Sequence, residues 1–112
     1  MINKDYEHIK LMLDFARRVK RRIAEVSVDQ FLENDDLQDM VLYAMGQIGE
    51  NANAVSEAVR NIHHEVLWKP IIGIRNRVFH SYGDVDMSIV YETAVDHIPE
   101  LIKELTKILG ED

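Results

Sequence analysis

Residues 75–82 read Arg-Asn-Arg-Val-Phe-His-Ser-Tyr. A guanidinium such as that of Arg75 clamps a phosphate and stabilises charge on a phosphorane. An imidazole such as that of His80 exchanges a proton near neutral pH. The two suffice for metal-free transfer of a phosphodiester. Geometry sets a condition on them. Asn76 and His80 are one turn apart and share a face if a helix continues to His80. Arg75 and His80 are five residues apart, about 140° around an ideal helix. They converge only if the helix ends near Phe79 or if a second copy of the segment comes from another subunit. The plainer alternative is a polar network that caps a short helix and braces the following turn. Residue types alone leave the two readings level.

The other polar clusters are weaker. His63-His64-Glu65 carries metal-binding residue types, but adjacent helical histidines point about 100° apart. Near a helix C-terminus, imidazoles are explained by the helix dipole. His8 and His97 read as surface or core-edge residues. Five of the 13 basic residues fall within six positions, Arg17, Arg18, Lys20, Arg21 and Arg22. Arg17, Arg18, Arg21 and Arg22, with Lys69 and Arg77, are the candidate RNA contacts. Without interleaved aromatics in the sequence, the Arg17–Arg22 run reads first as a solvated face balanced by Asp14 and Glu25. Phosphate loops, zinc-finger spacings and calcium loops are absent.

The elements that position these residues follow from apolar spacing. Tyr6, Ile9, Leu13, Ala16, Val19 and Ile23 predict a helix over about residues 4–26, with pairs Asp14–Arg18 and Arg21–Glu25 on its surface. Ser27-Val28-Asp29 ends it. Gln30-Phe31-Leu32 is expected as a short turn laying apolar side chains on the core. Asn34, Asp35 and Asp36 offer caps for a second helix over about residues 36–62. Its stripe is Leu37, Val41, Ala44, Ile48, Ala52, Val55, Val59 and Ile62, widened by Met40, Met45 and Val66. Gly46 and Gly49 predict a tight crossing, since each costs about 1 kcal/mol relative to Ala in a helix. Pro70 starts a short helix over about residues 70–79. The chain turns at Ser81-Tyr82-Gly83. Asp84 or Asp86 then caps a last helix over about residues 87–109, which Pro99 kinks or restarts. No segment alternates with period two. The expectation is all-α: one domain over residues 1–112, an up-and-down bundle of about four helices.

Composition bounds the rest. The chain of 112 residues has no cysteine, so disulfides, thiolate zinc and cysteine nucleophiles are excluded. No apolar run approaches the ~18 residues of a membrane span, and the N-terminus lacks a signal-peptide core. A cytoplasmic protein without membrane attachment is expected. The net charge of −7 opposes non-specific polyanion binding, so any RNA site must be local.

Arg75-Asn76-Arg77-Val78-Phe79-His80 resembles the Arg-x4-6-His motif of HEPN-domain ribonucleases. With Tyr82 it resembles the narrower Arg-x4-His-x-Tyr pattern of the HepT-like toxins. The likeness extends over nearly the whole chain, including Ile48-Gly49-Glu50-Asn51-Ala52, residues 68–74 before the motif and residues 85–91 after it. The resemblance implies a homodimer whose two motifs face each other, with metal-independent endoribonuclease activity and no cofactor. It makes His80 the general acid/base and Arg75 the phosphate holder, with Asn76 orienting the site. The RNA 2'-hydroxyl would be the nucleophile, leaving a 2',3'-cyclic phosphate and a 5'-hydroxyl. It also implies a type II toxin–antitoxin system in which an MNT-type nucleotidyltransferase antitoxin adds AMP to Tyr82. A bulky anionic adduct two residues from His80 would block the site and repel RNA. The alternative for Tyr82 is a packed turn residue. Two other classes compete with the toxin: a non-catalytic helical interaction module, and an accessory subunit presenting substrate to the nucleotidyltransferase. The acidic balance favours a selective ribonuclease over a general one.

Overall fold

A computed structural model of the chain describes residues 2–80 and 85–110, with all their side chains except those of 2, 3, 79 and 80. All regular structure among the described residues is helical: α1 Ile2–Ile23, α2 Val28–Leu32, α3 Asp35–Ala54, α4 Glu57–Ile62, α5 Trp68–His80, α6 Met87–Glu92, a π turn Thr93–His97 and α7 Ile98–Leu109. The expected bundle of about four long helical segments forms from α1, α3, α5 and the α6–α7 unit. Helices α7, α1, α3 and α5 neighbour one another in that order. Helix α5 packs on α3 and makes no comparable contact with any other element. The molecule measures 42 × 32 × 19 Å. Among the described residues no helix is long and apolar enough to cross a membrane.

The predicted stripe of α1 is the centre of the core. Ile9, Leu13, Ala16, Val19 and Ile23 are buried, as is Met12, which the stripe omitted. Each such side chain removed from water contributes about 1.5–3 kcal/mol before entropy is counted. Asp14 pairs with Lys10 at 3.2 Å, while Arg18 lies over the Phe15 ring instead of pairing with it. Glu25 adopts φ 62° just after α1, which takes it off the helical path that a pair with Arg21 requires.

Two elements differ from expectation. Residues 28–32 are a helix, not a turn. Ser27 caps it by accepting from the Gln30 amide, and the Gln30 side chain accepts from the Ser27 amide. Such reciprocal capping is worth about 1 kcal/mol. Phe31 enters the core, but Leu32 is exposed. The second helix is also interrupted. It stops at Ala54, Val55 is extended, and Ser56 caps α4. The cause lies in α1. The Asp5 carboxylate accepts from the Ser56 amide and from its hydroxyl, both at 2.8 Å. Ser56 is thereby held outside the helical path. Beyond the break Val59 and Val66 are buried as expected, but Ile62 is exposed.

The N-terminal half of α1 holds this corner at two further points. Tyr6 hydrogen-bonds His63 Nε2 at 2.9 Å, and His8 Nδ1 donates to Asn51 Oδ1 at 2.8 Å. At the other end, Asp86 caps α6 as expected. Pro99 lacks an amide to bond the carbonyl four residues back, and the chain widens into the π turn before it. The Ile98 amide reaches Thr93 O, five residues earlier. The Tyr91 hydroxyl donates to Val26 O at 2.6 Å, tying α6 to the end of α1.

The Asp5 clamp gives a pH prediction. Its hydrogen bonds from Ser56 hold the Asp5 carboxyl below the ordinary carboxylate range. A lowered folded value means stabilisation that is present above the unfolded value, about 3.9, and lost as pH falls toward the folded one. Urea midpoints of the wild type should therefore exceed those of Asp5→Asn near pH 7. The gap should narrow as pH falls below that unfolded value; a gap of equal size at pH 7 and in acid would contradict the clamp.

Candidate active site

The expected tight crossing is at Gly49, where α5 passes over α3. A Cβ on Gly49 would lie 2.7 Å from Arg75 Cβ, 2.8 Å from Ile71 O and 2.9 Å from Arg75 N. Two of these are backbone atoms, so a side chain here forces the helices apart. Gly46 is buried one turn earlier. The glycine therefore brings the backbone of Arg75 directly against α3.

The next residue on α3 takes hold of the Arg75 side chain. Arg75 Nε donates to Glu50 Oε2 at 2.6 Å. Arg75 Nη1 donates weakly to Asn76 Oδ1 at 3.4 Å. The pair is partly exposed, so its contribution to stability is small, about 0.2–1 kcal/mol. Its effect is orientation. With Nε engaged by Glu50, both Nη2 donors remain for an incoming phosphate oxygen. Glu50 also cancels most of the local positive charge, so anion binding here leans on other cations. Glu50 was not among the candidate residues. Its signal was an acidic side chain directly after the glycine that marks a crossing.

Asn76 accompanies Arg75 as expected. Helix α5 runs through His80, so Asn76 and His80 stand one turn apart along it. Because the helix does not end at Phe79, Arg75 and His80 start about 140° apart on one continuous helix. The described helix stops at His80, one residue past Phe79, and both expected routes to convergence, a helix end here and a facing second copy, are compatible with it. The His80 side chain and all of Tyr82 lie outside the described residues.

The other candidates are dispersed. Arg77 points away from Arg75, about 200° around α5. It rims an apolar furrow between α5 and the α6–α7 unit. Two hollows of about 390 and 370 Å³ occupy that furrow and share Met45, Ile74, Arg77 and Thr93. Glu104 sits on its rim, its carboxyl pushed upward by burial and by Glu100 and Glu65. The Arg75–Glu50 pair lies outside this furrow. Lys69 is exposed near the start of α5, almost two turns before Arg75. The arginines of α1 divide by spacing into Arg18 with Arg22 and Arg17 with Arg21. Arg18, Arg21 and Arg22 are exposed.

Two histidines away from the motif, His63 and His8, hold structural contacts. His63 accepts two loads: its ring meets Tyr6 edge-on, and its carbonyl accepts from Trp68 Nε1 at 2.9 Å. That second bond ties the end of α4 to the start of α5. His8 is engaged with Asn51, and His97 is exposed on the furrow.

Comparison with known proteins adds a family context. Residues 12–108 match the family described as ribonuclease HepT-like. A protein of Caldanaerobacter subterraneus subsp. tengcongensis, named as a candidate RNase, is 30% identical over 95% of this chain and 92% of its own. A Methanocaldococcus jannaschii protein with the same designation is 29% identical over 93% of this chain and 86% of its own. A Thermococcus cleftensis protein named as a probable ribonuclease HepT is 27% identical over 95% of this chain and 94% of its own. No solved structure matches the chain significantly.

The two glycines of the crossing helices should respond oppositely to alanine. Gly49→Ala must displace α5 and should cost about 1–3 kcal/mol. Gly73 has open space where its Cβ would be, so Gly73→Ala should be neutral or stabilising by up to about 1 kcal/mol. Thermal or urea unfolding of both variants checks this; equal effects would contradict the crossing.

Proposed function

The chain belongs to the HepT-like ribonuclease family, and from that premise we propose that it is a metal-independent endoribonuclease acting through Arg75 and His80. The observation that carries the reading is the Arg75 guanidinium, packed into place by Gly49 and turned by Glu50, on a helix that reaches His80. In the proposed reaction the 2'-oxygen of RNA attacks the adjacent phosphorus, and the bond to the 5'-oxygen breaks. Histidine accepts the 2'-hydroxyl proton as the attack proceeds, and the departing 5'-oxygen is protonated by an imidazolium. Arg75 stabilises the phosphorane through the donors that Glu50 leaves unused. Asn76 steadies the guanidinium. The products are a 2',3'-cyclic phosphate and a 5'-hydroxyl.

The active unit in this reading is a homodimer. Arg75 and His80 are five residues apart on one helix, about 140° around it, and a facing copy would supply the convergence that the reaction needs. Among the described residues α5 packs chiefly on α3, which leaves much of its surface for association. Arg77 and Lys69, exposed on α5, add positive charge for RNA, as do the arginines of α1.

The biological setting we propose is a type II toxin–antitoxin system. An MNT-type nucleotidyltransferase antitoxin would neutralise the enzyme by adding AMP to Tyr82. The adduct places bulk and negative charge two residues from His80, which opposes RNA binding.

Purified Arg75→Ala and His80→Ala should each lose at least about 100-fold in RNA cleavage with helicity retained by circular dichroism. Cleavage surviving both changes would refute the site. Tyr82→Phe should cleave as the wild type does, yet accept no labelled AMP from the partner nucleotidyltransferase. Labelling of that variant would place the modification elsewhere.

A further inference from the structure

We propose that Glu50 is a specificity-determining residue of the ribonuclease site, acting through Arg75. Its carboxylate cancels the guanidinium charge toward free phosphate and single nucleotides, while its hold on Nε keeps the guanidinium aimed at a phosphodiester that other contacts have delivered. The proposal rests on the ribonuclease reading and says which ligands that site refuses.

A guanidinium grips phosphate most tightly through two nitrogens at once, and it offers two such edges: Nε with Nη2, and Nη1 with Nη2. In this site each edge has one nitrogen engaged. Glu50 Oε2 takes Nε at 2.6 Å, and Asn76 Oδ1 takes Nη1 at 3.4 Å. Nη2 is common to both edges and stays open. The two engagements differ in strength. A 2.6 Å contact between opposite charges is a full charge-assisted bond, whereas 3.4 Å to a neutral amide is near the limit of one. An incoming phosphate therefore displaces Asn76 sooner than Glu50 and takes the Nη1–Nη2 edge. The Nε edge stays closed. Gly49 holds the Arg75 backbone against α3, so the guanidinium has no room to escape the carboxylate by a shift of its helix toward α3.

The consequence for charge is separate from the consequence for geometry. Attraction by net charge has no direction and serves any anion. Donation from N–H is directional and serves a phosphate presented at one place. Pairing with Glu50 removes most of the first and keeps the second. Ligands can sample the pair, since its side chains are 29% and 48% exposed. Lys69 and Arg77, on the same helix, leave it more than about 100° around from Arg75. A lone phosphate at Arg75 therefore meets a neutral pair. A strand of RNA also reaches other cations through its neighbouring phosphates. During attack by the 2'-oxygen, histidine takes the hydroxyl proton, and the negative charge on the phosphoryl group rises from one to two. Donors already aimed at it then gain more than they gave the resting diester.

Two substitutions separate charge from reach. Glu50→Gln removes the charge and keeps an acceptor oxygen at the same length. Glu50→Asp keeps the charge but ends one methylene short. Binding is read with inorganic phosphate, titrated into the full chain and followed by phosphorus NMR at constant ionic strength. Glu50→Gln should tighten phosphate binding at least about three-fold, and Glu50→Asp should leave it within about two-fold. Kinetics are read on total RNA. Glu50→Gln should lower KM, hold kcat within about three-fold and become sensitive to phosphate that the wild type tolerates. Glu50→Asp should lower kcat at least about five-fold with KM little changed. Equal phosphate affinity in Glu50→Gln and the wild type would overturn the proposal. So would matched losses of rate in both variants with lowered urea midpoints, which would make the pair a packing element only. A wild type that cleaves no RNA would sink the ribonuclease reading, and tighter phosphate binding by Glu50→Gln would still establish Glu50 as the guard of an anion site.

Discussion

The site depends on a missing side chain. Helix α5 lies at the edge of the bundle and is seated chiefly on α3. At the crossing, Gly49 lets the α5 backbone come within distances that no Cβ tolerates. Close backbone contact fixes where Arg75 leaves its helix, independently of rotamer. Glu50, one residue on, then fixes the direction of the guanidinium. The magnitudes separate these jobs. A half-exposed ion pair adds less than about 1 kcal/mol, too little to hold a helix in place. Packing positions α5, and the ion pair aims one of its side chains.

A second support reaches α5 from the opposite end of the molecule. Asp5, Tyr6 and His8, within one turn of α1, grip Ser56, His63 and Asn51. The grip breaks the long second helix and turns α4. The His63 carbonyl then receives the Trp68 indole at the start of α5. The helix carrying Arg75 is thus located twice, by a crossing at its middle and by a hydrogen-bonded corner at its beginning. The side facing the α6–α7 unit is left as an open furrow.

Most of the helices were legible because one-sided burial writes a 3.6-residue period, as in Ile9, Leu13, Ala16 and Val19. Gly49 was legible because a glycine inside a helix needs a reason. The break at Ser56 was not, since its cause is a carboxylate 51 residues earlier, and periodicity carries no long-range information. The capping of α2 could have been read from Ser27 and Gln30, whose spacing is that of a reciprocal cap. Arg75, Asn76 and His80 were legible as types and spacing. Glu50 was not, because only tertiary contact places it against Arg75. The pairing of Phe15 with Tyr43 escaped for the same reason.

An acidic protein that processes a polyanion must concentrate attraction locally and leave its net charge to repel elsewhere. The neutralised Arg75–Glu50 pair suits that constraint, since in the proposed reaction it would bind phosphate weakly by itself and depend on neighbouring cations. Such an arrangement favours selectivity over general RNA degradation. The measurement that tests the central claim most directly is end-group mapping of RNA incubated with the purified protein in EDTA. The account predicts new 2',3'-cyclic phosphate and 5'-hydroxyl ends, undiminished by the chelator. Intact RNA, or 5'-phosphate ends that appear only when metal is restored, would contradict it.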